Sequence, residues 1–305
     1  MQVPLPEPAD DKLHEPGPDP WWTESLHYEF ASDDASLGGY VTLTSLPNQR
    51  RVRYWACLVQ PGRPLVTVID NDIPLPAKAG STNLRTTGLW AEHYFEDPLR
   101  HCSLALEAFG VALDHPTEAY GAARGDRTPL GFDLAWTTAT SPFMWPSVAN
   151  RVTDRIEVPC DVHGIIQRGD DEIEFTGHGH RRRVWGDAPW WQLHSACGSA
   201  ALGTSGERMS FVSIPGTNAR LACFTSPDSE PTIEAADVAF TQTENQLVAD
   251  IEIELASGTC GIEQMAWAPV RAQGAGRTDV KLARALSTLR LGERVGAGWI
   301  EVGLA

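Results

Sequence analysis

Beyond residue 20 the chain falls into short runs in which apolar and polar positions alternate, separated by turn residues. WWTESLHYEF, GGYVTLTSLP and RVRYWACLVQ are parted by Ser32-Asp33-Asp34, by Leu46-Pro47-Asn48 and, after the third, by Pro61-Gly62. PLVTVIDNDIPLP, LWAEHYFED, CSLALEAFGVALD and GFDLAWTTA continue the pattern. Period two with turns every ten or so residues predicts a meandering antiparallel sheet. SPFMWPSVAN, with two prolines and no period, reads as a connection. RIEVPCDVHGIIQ and DEIEFTGHGH then form a predicted hairpin about Arg168-Gly169-Asp170-Asp171. The runs from WWQLHSACGS to AGWIEVGLA are again short and β-rich. VKLARALSTLRL alone has Leu282, Leu286 and Leu289 near helical spacing, and reads as a helix or a twisted strand.

The expected class is all-β with little helix. Its units are an extended N-terminal arm over residues 1–20, a first β lobe over 21–165 and a second over 166–305, without a clean repeat between the lobes. The arm, MQVPLPEPADDKLHEPGPDP, is too rich in proline for regular structure and has few side chains to bury.

Residues 175–191, FTGHGHRRRVWGDAPWW, gather glycines, His178, His180, three arginines and three tryptophans in one window. Gly186-Asp187-Ala188-Pro189 reads as a turn and 190–196 as the returning strand, which brings rings and titratable groups to one hairpin mouth. A Trp-rich packed corner with surface arginines is the alternative.

Composition narrows the partners. A formal charge of −16 opposes affinity for phosphate backbones and anionic lipid surfaces, so no nucleic-acid partner is expected. No apolar run reaches ~18 residues, so no membrane insertion is expected. The six cysteines include no C-x-x-C pair and read as core thiols, and the acidic, proline-rich start is unlike a signal peptide, so the expected location is cytoplasmic. No G-x-S-x-G, P-loop or dinucleotide fingerprint occurs.

Trp22-Thr23-Glu24-Ser25, Gly88-Leu89-Trp90-Ala91-Glu92 leading into Pro98-Leu99-Arg100, Val162-His163-Gly164, Gly177-x-Gly179-x-Arg181-x-x-x-Trp185-Gly186 and Gly298-Trp299-Ile300-Glu301 resemble the tandem lipocalin-like family. That family includes carotenoid 1,2-hydratases, AttH-like proteins, lipocalin-like pericyclases and uncharacterised actinobacterial members. The resemblance implies two antiparallel β-barrel lobes in tandem and an apolar pocket, in a barrel or between lobes, for an isoprenoid-, polyene- or steroid-like molecule. It also implies cofactor-independent hydration, dehydration or cyclisation there, by a hydro-lyase or a cyclase. One departure bears on chemistry: where relatives carry an acidic residue and a histidine before the tryptophan, this chain has Arg182 and Arg183. Arginine stays protonated to pH ~12 and does not replace either.

Candidate proton-handling residues are therefore Asp187, His178 and His180, with Asp187 also readable as an ordinary turn residue. Candidate substrate-binding residues are Trp90, Glu92, Tyr94, Arg181, Arg182, Arg183, Trp185, Trp190, Trp191 and His194. Alternation puts Glu92 on one face with Trp90 and Tyr94, and His93 on the other. No metal is expected, because no spacing supplies a third ligand to the two histidines. The triple arginine also fits a clamp for the carboxylate or phosphate of a greasy ligand, the reading of a non-catalytic lipid carrier or scaffold.

Overall fold

The computed structural model describes residues 3–77, 82–146, 153–186, 194–273 and 279–304. Most of them lie in strands, and helix among them is limited to two short 3-10 turns, Pro47–Gln49 and Pro116–Tyr120. The first sheet contains β1 (Thr23–Ala31), β2 (Gly38–Leu46), β3 (Arg51–Val59), β4 (Leu65–Pro74), β5 (Leu84–Thr86), β6 (Leu89–Asp97), β7 (His101–Leu113), β8 (Asp126–Thr138), β9 (Phe143–Met144), β10 (Thr153–Arg168) and β11 (Asp171–Gly186). β4 meets β7 at Leu65–Thr67 and β11 meets β1 along its length, closing an antiparallel barrel. Closure removes the exposed edges that an all-β chain otherwise presents.

The second sheet contains β12 (Ala196–Leu202), β13 (Glu207–Ser213), β14 (Arg220–Ser226), β15 (Ser229–Gln242), β16 (Val248–Leu255), β17 (Gly258–Trp267), β18 (Val270–Gln273), β19 (Asp279–Leu291) and β20 (Arg294–Leu304). It closes through β17 against β19. The all-β, two-barrel expectation holds.

Two details differ from the sequence reading, and a third, left open there, is decided. β10 and β11 both belong to the first barrel, so the division between sheets falls after Gly186 rather than at 165/166. Periodicity counts strands but does not say which one returns to pair with β1. The arginine-bearing strand is accordingly flanked by β1 and β10, and the next described strand, β12, pairs in the second sheet; residues 187–193 of the expected hairpin lie outside the described residues. VKLARALSTLRL is strand: it lies in β19, whose Ala283, Ala285 and Leu289 face the second barrel's core while Leu282 and Leu286 pack toward the first barrel. A strand buried on both faces loses its alternation and imitates a helix.

Alternation decides what each face of β1 touches. Leu26, Tyr28 and Phe30 point into the first barrel, where Phe30 meets Phe132 and Phe175 edge to face. His27, Glu29 and Ala31 point out toward the second lobe. Apolar residues there, including Tyr40, Trp55, Leu282, Leu286 and Trp299, form one core shared by the lobes. Trp299 donates to the Phe30 carbonyl at 2.9 Å and Tyr40 to the Ala268 carbonyl at 3.0 Å, so the contact is specific as well as apolar. All six cysteines are buried free thiols, as expected.

Candidate active site inside the N-terminal barrel

The registers Tyr28 opposite Arg181 and Leu26 opposite Arg183 place both arginines inside the first barrel. His27 opposite Arg182 and Glu29 opposite His180 place the intervening residues on the outer face. The arginine run thus serves two compartments, and it is buried in both.

Inside the barrel, the His93 ring lies 5.3 Å from the Tyr28 ring and 6.0 Å from that of Tyr54. Neither ring nitrogen of His93 has a hydrogen-bond partner among the described residues, and the Tyr54 hydroxyl has none there either. Buried polar groups are ordinarily satisfied, so three orphaned atoms in adjoining rings single this place out as the candidate site. Burial first, and then the Arg183 charge, lower the His93 pKa to about 3, leaving a neutral imidazole at pH 7. Burial also raises the Tyr54 pKa, keeping its hydroxyl a donor.

Tyr28, which the His93 ring meets, also borders a small space that the N-terminal arm closes. The Asp11 carboxylate is 2% exposed. It accepts from the Leu99 backbone N–H at 2.7 Å and from Arg181 Nη1 at 3.1 Å, with Arg183 Nε at 3.6 Å. Arg183 also donates to Glu24 at 2.7 Å and to the Asp11 carbonyl at 2.9 Å, with its guanidinium 5.0 Å from the centre of the Phe95 ring. His14 stacks on Trp185 at 3.9 Å and bonds Glu24 at 3.0 Å. With the arm seated, the space among Asp11, Tyr28, Phe95 and the arginines holds about one water molecule.

The seam between the lobes is more fully paired. Glu157 receives Arg155, Arg182 at 3.4 Å, His180 at 2.5 Å and the Trp145 indole at 2.8 Å. Burial alone would raise its pKa, but Arg155, Arg182 and His180 hold it well below the ordinary carboxylate value. Arg284 pairs with Glu301, and Glu29 accepts from His27 and from Ser199 of the second lobe. His178 Nε2 donates to the Ala297 carbonyl at 2.8 Å. These groups satisfy one another, and they join the lobes.

Residues 7–304 match the profile of a family described as a domain of unknown function, DUF7064. The chain belongs to the DUF7064 family. No curated protein matches it. Among solved structures, this DUF7064 protein is similar to a putative AttH from Nitrosomonas europaea, with TM-score 0.69 and 13% identity over 98% of this chain and 97% of that one. It is also similar to kievitone hydratase from Nectria haematococca, with TM-score 0.60 and 11% identity over 99% of this chain and 94% of that one. The fold is that of the tandem lipocalin-like proteins.

The sequence-predicted site residues of the DUF7064 chain separate into four places. Arg181 and Arg183 enter the first barrel, and Trp185 sits at its mouth. Arg182, His178 and His180 lie in the seam, so Arg182 and Arg183 face opposite sides of one strand. Trp90, Glu92 and Tyr94 form the barrel's outer wall, where the Tyr94 hydroxyl bonds Glu92; they do not face the interior. His194 is exposed at the crossing between sheets, with its N–H on the Gly303 carbonyl. Asp187, Trp190 and Trp191 lie outside the described residues. The residues missed were Asp11, Tyr28, Tyr54 and His93. Alternation had already put His93 on the face opposite Glu92, the one signal that pointed to it.

Proposed function

We propose that the first barrel admits a small apolar molecule and catalyses its hydration, dehydration or cyclisation without an added cofactor, with His93 and Tyr54 handling the proton. The observation that carries this is the pair of unpartnered His93 nitrogens beside the unpartnered Tyr54 hydroxyl in a fully buried setting. Likeness in fold to a hydratase supports the same reading.

Chemistry restricts the substrate. Protonating an isolated double bond requires a strong acid, whereas His93 and Tyr54 offer a neutral imidazole and a neutral phenol. Those groups suit a double bond conjugated to a carbonyl, or the corresponding hydroxy compound. Water adds to the β-carbon, His93 takes the proton from that water, Tyr54 donates a hydrogen bond to the oxygen where negative charge develops, and the proton returns at the α-carbon. Isoprenoid- or steroid-like enones meet both the apolar and the electronic requirement.

The test is incubation with a panel of such enones in oxygen-18 water. Label in the product, reduced about 100-fold or more in His93→Phe and Tyr54→Phe, supports catalysis. Stoichiometric retention of the guest without label supports instead the carrier reading, which the Arg181–Arg183 pair favours as a seat for an acidic head group.

A further inference from the structure

The chamber's anion seat is formed by the barrel, and its occupant comes from the arm. Leu99 sits at φ 64°, a left-handed backbone that disfavours a residue with a Cβ, and its N–H is thereby aimed at the Asp11 carboxylate. β8 holds that conformation: Thr138 Oγ1 donates to the Leu99 carbonyl at 2.6 Å and the Thr138 N–H to the Arg100 carbonyl at 2.9 Å. Arg181 and Arg183 reach the same carboxylate from β11. Two strands of the barrel therefore fix two hydrogen-bond donors, with the Arg183 charge beside them, on one carboxylate. Arg181 Nη2 still has no partner among the described residues.

The arm is suited to leaving. Residues 3–20 contain no strand or helix, and Val3 and Asp11 are the buried residues among them. Departure of Asp11 leaves two buried guanidiniums with Glu24 as the nearby carboxylate, so an incoming guest must bring a negative charge. Leu99 also borders a groove of about 570 Å³ whose lining is mixed, with Leu5, Pro6 and Pro142 beside Arg100, Thr138 and Ser141.

We infer that this seat binds the carboxylate of an apolar acid, and that Asp11 occupies it as a displaceable intramolecular stand-in. The inference rests on the first barrel being the guest site, though on no reaction taking place there. The arm then acts as a competitor that sets affinity for the acid and covers the chamber when it is empty.

Binding is measured with cis-parinaric acid and its methyl ester. Asp11→Ala binds the acid at least tenfold more tightly than the wild type, while ester affinities agree within twofold. Adding Arg181→Met to Asp11→Ala removes the gain. Acetate raises the Tm of Asp11→Ala and leaves that of the wild type unchanged. Asp11→Asn, nearly isosteric, replaces Asp11→Ala if the latter fails to fold. In the unmodified protein, saturating acid accelerates tryptic cleavage after Lys12 and the ester does not. Equal acid affinity in wild type and variant, an equal gain for the ester, or a cleavage rate indifferent to the acid overturns the inference. All of these readouts are independent of turnover, so a protein that binds the acid but incorporates no oxygen-18 fails the hydration reading alone.

Discussion

His27 donates from Nε2 to Glu29 at 2.8 Å, two residues along the same strand, and this bond fixes the tautomer of a histidine buried between two barrels. Its Nδ1 is 2.8 Å from the Thr42 hydroxyl, which receives Arg284 Nη1 at 3.2 Å. Donation therefore runs from Arg284 to Thr42 to His27 to Glu29, and a second proton on His27 breaks it at Nδ1. Burial is the largest cause lowering the His27 pKa to about 4. Burial opposes the ionised Glu29, but the His27 hydrogen bond and the Arg182 charge bring its pKa to about 2.

Acid sensitivity follows. An unfolded histidine takes up a proton as pH falls through ~6.5, whereas native His27 and His93 resist until about 4 and about 3. Stability is complete above ~6.5 and falls by about 1 kcal/mol per pH unit for each histidine, the His27 share ending near pH 4 and the His93 share near pH 3. Glu29 adds a loss of the same sign from ~4.5 down to about 2. Urea midpoints measured between pH 7 and pH 3 should decline throughout, and a flat profile from 6.5 to 5 contradicts this.

Glu157 is the carboxylate shared by Arg155, Arg182 and His180. Glu157→Gln leaves buried cations short of one charge and should cost about 3–5 kcal/mol in chemical denaturation. A loss below ~1 kcal/mol would mean that water reaches the seam.

Gly179 lies in β11 opposite Phe30 of β1. A Cβ there meets the Glu29 carbonyl oxygen at 2.3 Å and Val162 Cγ2 at 2.5 Å, with backbone on one side and the core on the other. Gly179→Ala should destabilise by about 2 kcal/mol or more through forced separation of the strands. Its thermal midpoint reads this directly.

Trp90, Glu92 and Tyr94 face outward, so Trp90→Ala and Glu92→Gln should leave guest affinity within twofold of wild type by fluorescence titration. A tenfold loss in either places the guest outside the barrel.

The strand rhythm was legible in strands such as β7 and β16, which bury one face, because alternation reports that. It failed in β19, which buries both. Closure was not legible: which strand pairs with β1 is set by contacts between residues 23–31 and 178–186, a separation that no local pattern encodes. The arginine run drew notice by composition, but its division between chamber and seam depends on register. Asp11 was hidden in an acidic, proline-rich arm, where one aspartate among several carries no mark of burial. His93 was placed on the correct face and then passed over, since an isolated histidine in a strand gives no sign of whether its nitrogens will find partners.

In the proposed function the guest meets a proton-handling group inside the first barrel. Nitrogen-15 spectra of the histidine side chains, with His93 assigned through His93→Asn, test this most directly. On saturation with an enone, the His93 ring nitrogens should move toward hydrogen-bonded shifts while those of His27 and His178 stay in place. Saturating binding that leaves His93 unmoved, or that shifts the seam histidines instead, contradicts the account.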